Sequence, residues 1–354
     1  MNHDELLRKL VKEGASDIHF KVGRSPLLRI NGVLKAVSAP SLQPQDTEEI
    51  ARFLLGSEQW EKFSKQLEID TSYSIRSFCR FRVNVFRQRG SVSITMRVIP
   101  FKIPSLDELG VPEIVKKLAL SQRGLVLVTG ITGSGKSSTL AGMIEFINTR
   151  SNCHIITIED PIEFLHSDKM ASINQREIGV DTDTFPTAFR SALRQDPDII
   201  MVGELRDTST MEIALRAAET GHLVLSTVHT TDAKETIGRF IDSFPPHQQK
   251  QVRIQLAANL NAVISQRLLR RADDNGLILA AEVMVVNAAI KDFIIDPARI
   301  SDIVDNMAKG RDQYGSQTFD QALMDLLNLG LVSEQEAVVN ATSPNDLKLK
   351  LSLK

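Results

Sequence analysis

The stretch from Gly130 to Ser138 constrains the fold more than any other part of the chain. Its letters, Gly-Ile-Thr-Gly-Ser-Gly-Lys-Ser-Ser, match the pattern G-x-x-x-x-G-K-[ST] of a phosphate-binding loop. The apolar run Gly124–Thr129 predicts a buried strand before the loop, and Thr139–Ile147 predicts a helix after it. This order predicts that Lys136 contacts the β- and γ-phosphates of a nucleotide and that Ser137 binds Mg²⁺. The predicted nucleotide contacts in the loop are Gly130, Thr132, Gly133, Ser134, Gly135, Lys136, Ser137 and Ser138.

Composition places the chain among soluble globular proteins of more than one domain. Its 354 residues exceed the usual size of one hydrophobic core, and 42% of them are hydrophobic and 24% charged. The formal net charge of −2 argues against a dedicated nucleic-acid binder. Cys79 and Cys153 form no metal-binding spacing. With no signal peptide and no long apolar run, we expect a cytoplasmic chain, which can still dock on a membrane complex.

Residues 1–100 predict a separate α+β domain. Helical periodicity covers Glu5–Glu13 and Pro44–Lys65, and an Asn31-Gly32 turn signal predicts a hairpin. Further strands are predicted at Ile69–Ser74, Cys79–Arg87 and Ser91–Ile99. Between residues 80 and 89, arginines recur at even spacing, so several share one face of a strand. That face is either a solvated sheet surface or a surface that meets phosphate.

The remainder of the chain predicts a linker, a parallel sheet and a helical tail. Three prolines between residues 100 and 112 indicate a linker at residues 101–112. Strands and helices then alternate through residue 286, as in a parallel sheet with crossover helices. Residues 287–354 have helical periodicity only, which predicts a helical C-terminal subdomain. The strands expected after Gly124–Thr129 are Cys153–Ile158, Ile199–Val202, the segment between His222 and His229, and Leu277–Val286. The helices expected are Glu113–Leu120, Phe185–Arg194, Thr208–Glu219, Lys234–Ser243 and His247–Arg271.

Carboxylates follow two of the predicted parallel strands. Ligands of such sheets bind at the carboxyl ends of the strands, so Glu159 and Glu163 are expected where Mg²⁺ and the γ-phosphate lie. The alternative is an acidic loop that caps the next helix. Glu204 follows Ile199–Val202 in the arrangement of a Walker B carboxylate, where it would hold a metal-bound water or polarise the attacking water.

Two histidines flank one predicted strand. His222 and His229 are seven residues apart, which is about 23 Å along a strand, so both cannot contact one γ-phosphate. His229 lies at the carboxyl end and is the better candidate for contacting the nucleotide. His222 is expected to bridge elements or a neighbouring subunit.

With these motifs in place, the chain resembles the motor ATPases of type II secretion and type IV pili, and within that superfamily the PilT-type retraction ATPases. The resemblance covers nearly the full length. Its most specific stretch is Leu193–Asp207, which matches the signature of the family throughout. The acidic stretch Thr157–Glu163, the histidine stretch Thr220–Asp232 and the N-terminal stretch Ser16–His19 match as well.

The resemblance implies a fold and a set of roles. It implies an N-terminal PAS-like α+β domain and a RecA-like P-loop ATPase domain of α/β class, at residues 1–100 and 113–286. It implies ATP and Mg²⁺ as ligands, with Ser137, Glu159 and Glu204 on the metal. Glu163 and Glu204 would orient water, and His222 and His229 would couple nucleotide state to the subunit interface. Arg80, Arg82 and Arg97 would act across that interface.

The implied partners follow from the same family. We expect a homohexamer at the cytoplasmic side of the inner membrane, at the pilus base, that retracts type IV pili and so supports twitching motility. An inner-membrane pilus platform protein and a paralogous motor ATPase are the expected partners, and no nucleic acid is expected.

Two departures from the family pattern bear on the branch. The chain lacks the long extra N-terminal domain and the four-cysteine zinc insert of assembly and secretion ATPases, which favours the retraction branch. The stretch Ala289–Asp296 conforms only in part to the Ala-Ile-Arg-Asn-Leu-Ile-Arg-Glu motif of retraction motors. A PilU-like accessory role therefore stays open. So do an assembly or secretion ATPase, a RecA-like DNA translocase and a non-catalytic ring subunit.

Overall fold

The computed structural model describes residues 3–30, 32–76, 78–99 and 102–352. The chain divides into two compact units. The first comprises Met1–Lys102 with Glu163–Leu165, and the second comprises Ile103–Ile162 and His166–Lys354. Pro100 and Phe101, where the predicted linker begins, lie outside the described residues. Within the described ranges, no helix is long and apolar enough to cross a lipid bilayer.

The first unit is built on one antiparallel sheet. Its elements are α1 (His3–Lys12), β1 (Asp17–Phe20), β2 (Leu27–Ile30), β3 (Val33–Ala36), α2 (Pro44–Gln66), β4 (Glu68–Ile75), β5 (Cys79–Gln88) and β6 (Ser91–Ile99). The strand order is β3-β2-β1-β6-β5-β4. Phe20, Phe63 and Phe81 are fully buried in its core. The helices and strands predicted for this region are confirmed, whereas Asn31 of the predicted hairpin turn lies outside the described residues.

The second unit contains a mixed sheet that is parallel except at one edge. Its strands are β7 (Gly124–Thr129), β8 (His154–Glu159), β9 (Ser172–Glu177), β10 (Ile199–Val202), β11 (Leu223–Val228), β12 (Leu260–Arg270) and β13 (Leu277–Val285). The order is β13-β12-β7-β11-β10-β8-β9. Among the described strands of this sheet, only the β12–β13 pair is antiparallel. Because hydrophobic cores cover both faces of the sheet, its central strands are continuous apolar runs.

Helices pack on both faces of this sheet and beyond it. They are α3 (Ile114–Ala119), α4 (Lys136–Asn148), α5 (Phe185–Ala192), α6 (Thr208–Glu219), α7 (Ala233–Asp242), α8 (Pro246–Asn259), α9 (Ala288–Ile295), α10 (Asp302–Lys309), α11 (Arg311–Tyr314), α12 (Phe319–Asn328), α13 (Glu334–Val339) and α14 (Pro344–Ser352). The helical character predicted after residue 286 is confirmed. Phe319 and Leu323 share a core with Leu269 and Ala280 of the β12–β13 hairpin.

One predicted element is wrong and another was missed. The helix predicted at His247–Arg271 ends at Asn259, and its second half is the strand β12. This strand pairs with β7 on one side and β13 on the other, so sheet pairing outweighs the local helical periodicity. The edge strand β9 was not predicted, because its sequence, Ser-Ile-Asn-Gln-Arg-Glu, has one apolar residue and no alternation.

Candidate functional site

The P-loop connects the buried strand β7 to the N-terminus of α4. Gly130 has φ 143° and Gly135 has φ 92°, which residues with a Cβ rarely adopt. A Cβ on Gly130 would lie 2.4 Å from Oγ of Ser134 and 2.6 Å from the carbonyl oxygen of Gln266. Gly130 is therefore required both by its backbone conformation and by close packing against β12.

Lys136 begins α4, and its charge is held inside the loop. The residue is 8% exposed, and Nζ donates hydrogen bonds of 2.9 Å to the carbonyl oxygens of Gly130 and Ile131. Ser134 is buried, and among the described residues its Oγ has no hydrogen-bond partner. A buried ammonium, an unpaired buried hydroxyl and a helix N-terminus together fit an anionic ligand such as phosphate.

The other predicted loop contacts are more open to solvent. Thr132, Gly133 and Ser137 are exposed, and Ser138 is half-buried. The hydroxyl of Ser137 is thus accessible for a metal ion at the first turn of α4. Five of the eight predicted residues lie in the loop between β7 and α4, and the other three, Lys136, Ser137 and Ser138, form the first turn of α4.

Two carboxylates lie at the carboxyl ends of neighbouring parallel strands. Glu159 ends β8 and Glu204 follows β10, and they are only 7% and 9% exposed. Oε1 of Glu159 accepts hydrogen bonds from Oγ1 of Thr157 at 2.7 Å and Nε2 of Gln175 at 3.1 Å. Oε2 of Glu204 lies 2.6 Å from Nε of Arg206. Both carboxylates are thus held in place by neighbouring donors.

His229 and His222 have different surroundings. Nε2 of His229, at the carboxyl end of β11, lies 3.4 Å from Oε2 of Glu204. His222 precedes β11, and its Nδ1 lies 3.0 Å from the carbonyl oxygen of Ala217 and 3.2 Å from Oγ1 of Thr220. The structure therefore brings His229, and not His222, to the carboxylate at the carboxyl edge of the sheet.

The predicted metal ligands were Ser137, Glu159 and Glu204. No group of three His, Cys, Asp or Glu side chains suited to a metal ion occurs in the described part of the chain. Mg²⁺ in nucleotide sites needs only one or two protein oxygens, because phosphate oxygens and water complete its octahedron. A hydroxyl at the start of α4 and a carboxylate after a neighbouring strand are the donor types that such an ion takes.

Glu163 and the predicted interface arginines belong to the first unit. Glu163 is exposed, and its role stays a prediction. Arg80 donates to Oγ of Ser72 at 2.6 Å, and Arg82 lies opposite Arg97 in the β5–β6 register. Arg80 and Arg82 share one face of the antiparallel sheet, as their even spacing predicts, and the register places Arg97 on the same face.

Sequence reasoning missed two polar residues beside the P-loop. Nε2 of Gln266 donates to Oγ1 of Thr139 at 2.6 Å, and Oγ of Ser265 accepts from Oγ1 of Thr129 at 2.9 Å. Both lie on β12, which was predicted as helix. Two signals in the sequence favoured a strand here. Residues 263 and 264 are both β-branched, and the strand predicted at Leu277–Val286 needed a neighbouring strand to pair with.

Comparison with known proteins shows which family the chain belongs to. The family described as type II/IV secretion system protein matches residues 2–313. The type IV pilus retraction ATPase PilT of Pseudomonas aeruginosa is 41% identical over 346 residues, which is 98% of this chain and 100% of that protein. The type IV pilus ATPase PilU of the same organism is 40% identical over 353 residues, covering 100% and 92%.

A solved structure agrees with these relatives. The crystal structure of the pilus retraction motor PilT with bound ADP has a TM-score of 0.91 and 43% identity. The match covers 98% of this chain and 99% of that one. Similarity therefore extends through the whole described fold and is not confined to the P-loop strand and helix.

Proposed function

We propose that this chain, which belongs to the type II/IV secretion system protein family, is an ATPase that drives retraction of type IV pili. The observation that carries the proposal is the convergence of three groups at one edge of the second sheet. Lys136 follows β7, Glu204 follows β10 and His229 follows β11, and these strands are adjacent and parallel. Such an edge is where parallel sheets bind their ligands.

The residues of this edge divide the work of phosphoryl transfer. Bound ATP with Mg²⁺ supplies the phosphoryl group and neutralises charge on its oxygens. Lys136 and the N-terminus of α4 would bind the phosphates, and the hydroxyl of Ser137 would ligate the metal. Glu204, with Arg206 and His229 beside it, would orient the attacking water. Glu159, on the neighbouring strand, would be a second protein ligand of the metal.

The arginines of the first unit complete the site from an adjacent subunit. An arginine that acts in trans requires an oligomer. In a homohexamer, each of these arginines would serve the nucleotide site of an adjacent subunit. Such an arginine raises turnover by about 10³–10⁵ in well-studied nucleotide hydrolases. Hydrolysis then drives work on an inner-membrane platform protein at the pilus base, from the cytoplasmic side.

The ATPase proposal is tested by hydrolysis as a function of protein concentration. We expect Mg²⁺-dependent phosphate release whose specific activity rises as hexamers form, with size measured by light scattering in the same samples. K136A abolishes it, whereas K250A, which removes an exposed lysine of α8, leaves it unchanged. If the protein is monomeric and its specific activity does not depend on concentration, the arginines do not act across a subunit interface.

The direction of the motor is tested in cells. Deletion of the gene is expected to leave surface pili in excess and to abolish twitching, and only the wild-type gene, not K136A, restores it. Loss of pili would instead assign the chain to the assembly branch. Because the identities to PilT and PilU are 41% and 40%, sequence similarity does not separate the main motor from an accessory one. Twitching that survives deletion indicates the accessory role.

A further inference from the structure

A buried carboxylate lies at the start of two helices in the second unit. Glu282 on β13 is 5% exposed, and its Oε1 accepts a hydrogen bond of 2.8 Å from the N–H of Ala233, the first residue of α7. The backbone N–H of Phe319, the first residue of α12, lowers the pKa of this carboxylate as well, so it also lies close to it. One side chain thus lies near the N-termini of two helices, where the helix dipole favours negative charge.

The start of α7 carries the loop that contains His229. We name residues 229–232 the His229 loop. Oγ1 of Thr230 lies 2.6 Å from Oγ1 of Thr236, and the N–H of Thr231 donates to Oε2 of Glu235 at 2.7 Å. Asp232 caps the helix by accepting from the N–H of Glu235 at 2.8 Å. The His229 loop and the first turn of α7 are therefore joined by hydrogen bonds on several sides.

The other side of Glu282 faces the C-terminal helices. Arg267 of β12 stacks its guanidinium 3.8 Å from the ring centre of Phe319 and donates to the carbonyl oxygen of Asn340, at the end of α13. Its charge also acts on Glu282. The pair Glu282 and Arg267 thus links the β12–β13 hairpin both to α7 and to the tail.

We propose that Glu282 is a positioning residue, which holds His229 beside Glu204 by tying the start of α7 to the C-terminal helices. The expected effect on kcat rests on the proposed ATPase function, whereas the positioning of the His229 loop does not. The contact itself joins the start of α7 to the β12–β13 hairpin, on which Phe319 and Leu323 of α12 pack.

The charges around Glu282 make this contact sensitive to pH. Burial raises the pKa of Glu282 to about 7, with a further increase from the Asp232 carboxylate. The N–H groups of Ala233 and Phe319 and the charge of Arg267 oppose the increase, and Asp320 faces Arg267 in turn. The ionised carboxylate is the stronger hydrogen-bond acceptor, so the start of α7 is held more firmly above pH 7.

The pH profile of kcat tests the proposal. We expect wild-type kcat to fall about threefold or more as pH decreases through 7, and E282Q to lose that step, because an amide accepts hydrogen bonds but does not titrate in this range. E336Q is the matched control. Glu336 also accepts a hydrogen bond from a backbone N–H, that of Arg270 at 3.1 Å, and so joins the same hairpin to α13. Its profile should equal that of the wild type.

Amide hydrogen exchange tests the contact without relying on turnover. E282Q is expected to speed exchange in the His229 loop and at Ala233 about tenfold at pH 8, and E336Q is expected to leave both unchanged. If the wild-type protein has no ATPase activity, the proposed function is wrong, but the exchange measurement still tests the contact of Glu282. E282Q with a wild-type pH profile, or with unchanged exchange in the His229 loop, overturns the positioning role.

Discussion

Nε2 of His229 lies 3.4 Å from Oε2 of Glu204, although the two residues follow different strands. The contact forms because β10 and β11 are parallel neighbours in register, so both chain ends reach the same edge. Nε of Arg206 lies 2.6 Å from the same oxygen. Glu204 thus has the guanidinium of Arg206 and the imidazole of His229 within 3.4 Å of one carboxylate oxygen, at the carboxyl end of its strand.

Replacing Glu204 by glutamine should separate chemistry from binding. We expect E204Q to lower kcat at least about 100-fold, since the amide keeps an acceptor oxygen but loses the negative charge that polarises the attacking water. Affinity for a fluorescent ADP analogue should stay within about threefold, because uniform binding is not the function of this group. E212Q, which alters an exposed carboxylate of α6 that pairs with Arg216, is the control and should retain full activity. An active E204Q enzyme would transfer the role to Glu163.

Adding one methyl group at Gly130 should disable the P-loop. The new Cβ would lie 2.4 Å from Oγ of Ser134 and 2.6 Å from a backbone carbonyl, in a backbone conformation unfavourable for alanine. We expect G130A to weaken ADP binding at least about tenfold, since cradle geometry sets phosphate contacts. The control is G238A in α7, where nothing lies within 4 Å of the added carbon. It should bind normally and gain about 0.5–1 kcal/mol of stability. Equal binding by both variants would contradict the geometry.

The ion pair of Asp17 and Arg97 should make the first unit less stable in acid. Although burial alone would raise it, the hydrogen bonds from Arg97 and Ser16 hold the pKa of Asp17 below its ordinary value of 3.8. A lowered pKa means that the stabilisation is complete above the ordinary value and is lost as pH falls through the lower, folded value. D17N should therefore cost about 1–3 kcal/mol at pH 7 and much less near pH 3.

Fluorescence of the single tryptophan, Trp60 on α2, reports this unfolding directly. Urea titrations of wild type and D17N at pH 7 and pH 3 give the two differences in free energy. D70N is the control, because Asp70 is exposed and accepts a longer hydrogen bond of 3.2 Å from Asn84. A D17N penalty that is equal at both pH values would show that the ion pair does not titrate as described.

Local patterns predicted those elements whose own sequence decides their structure. The run Gly124–Thr129 is apolar because both faces of β7 are buried, and the loop after it needs residues of fixed type at fixed spacing. The acidic and histidine stretches were found for the same reason, and the resemblance drawn from them is confirmed by the relatives. The pairing of His229 with Glu204 was not predicted, since it depends on strand order.

Elements decided by distant partners were not predictable in the same way. The residues of β12 have a helix-compatible periodicity, and only the pairing with β7 and β13 makes them a strand. With β12 unrecognised, Gln266 and Ser265 could not be placed beside the P-loop. The contact of Glu282 with Ala233 was missed for a related reason, because it joins residues 49 positions apart across the fold.

Mixing two inactive variants should restore activity if the arginines act across the subunit interface. E204Q lacks the water-orienting carboxylate, and R97A lacks a guanidinium that lies on a different unit of the same chain. In a mixed hexamer, an E204Q subunit can supply Arg97 to the intact Glu204 of a neighbouring R97A subunit. Random one-to-one mixing should give about a quarter of wild-type turnover if sites fire independently, since each functional interface needs two intact halves.

The mixing experiment requires subunit exchange, which is checked under the same conditions by Förster transfer between donor-labelled E204Q subunits and acceptor-labelled R97A subunits. R76A, on the β4–β5 connection, is the matched control, and it should be active alone. Activity of the E204Q and R97A mixture near zero, with exchange demonstrated, would place Arg97 in the same subunit as the site that it serves. It would also remove the reason for inferring a ring from the arginine strand, leaving the hexamer to rest on resemblance alone.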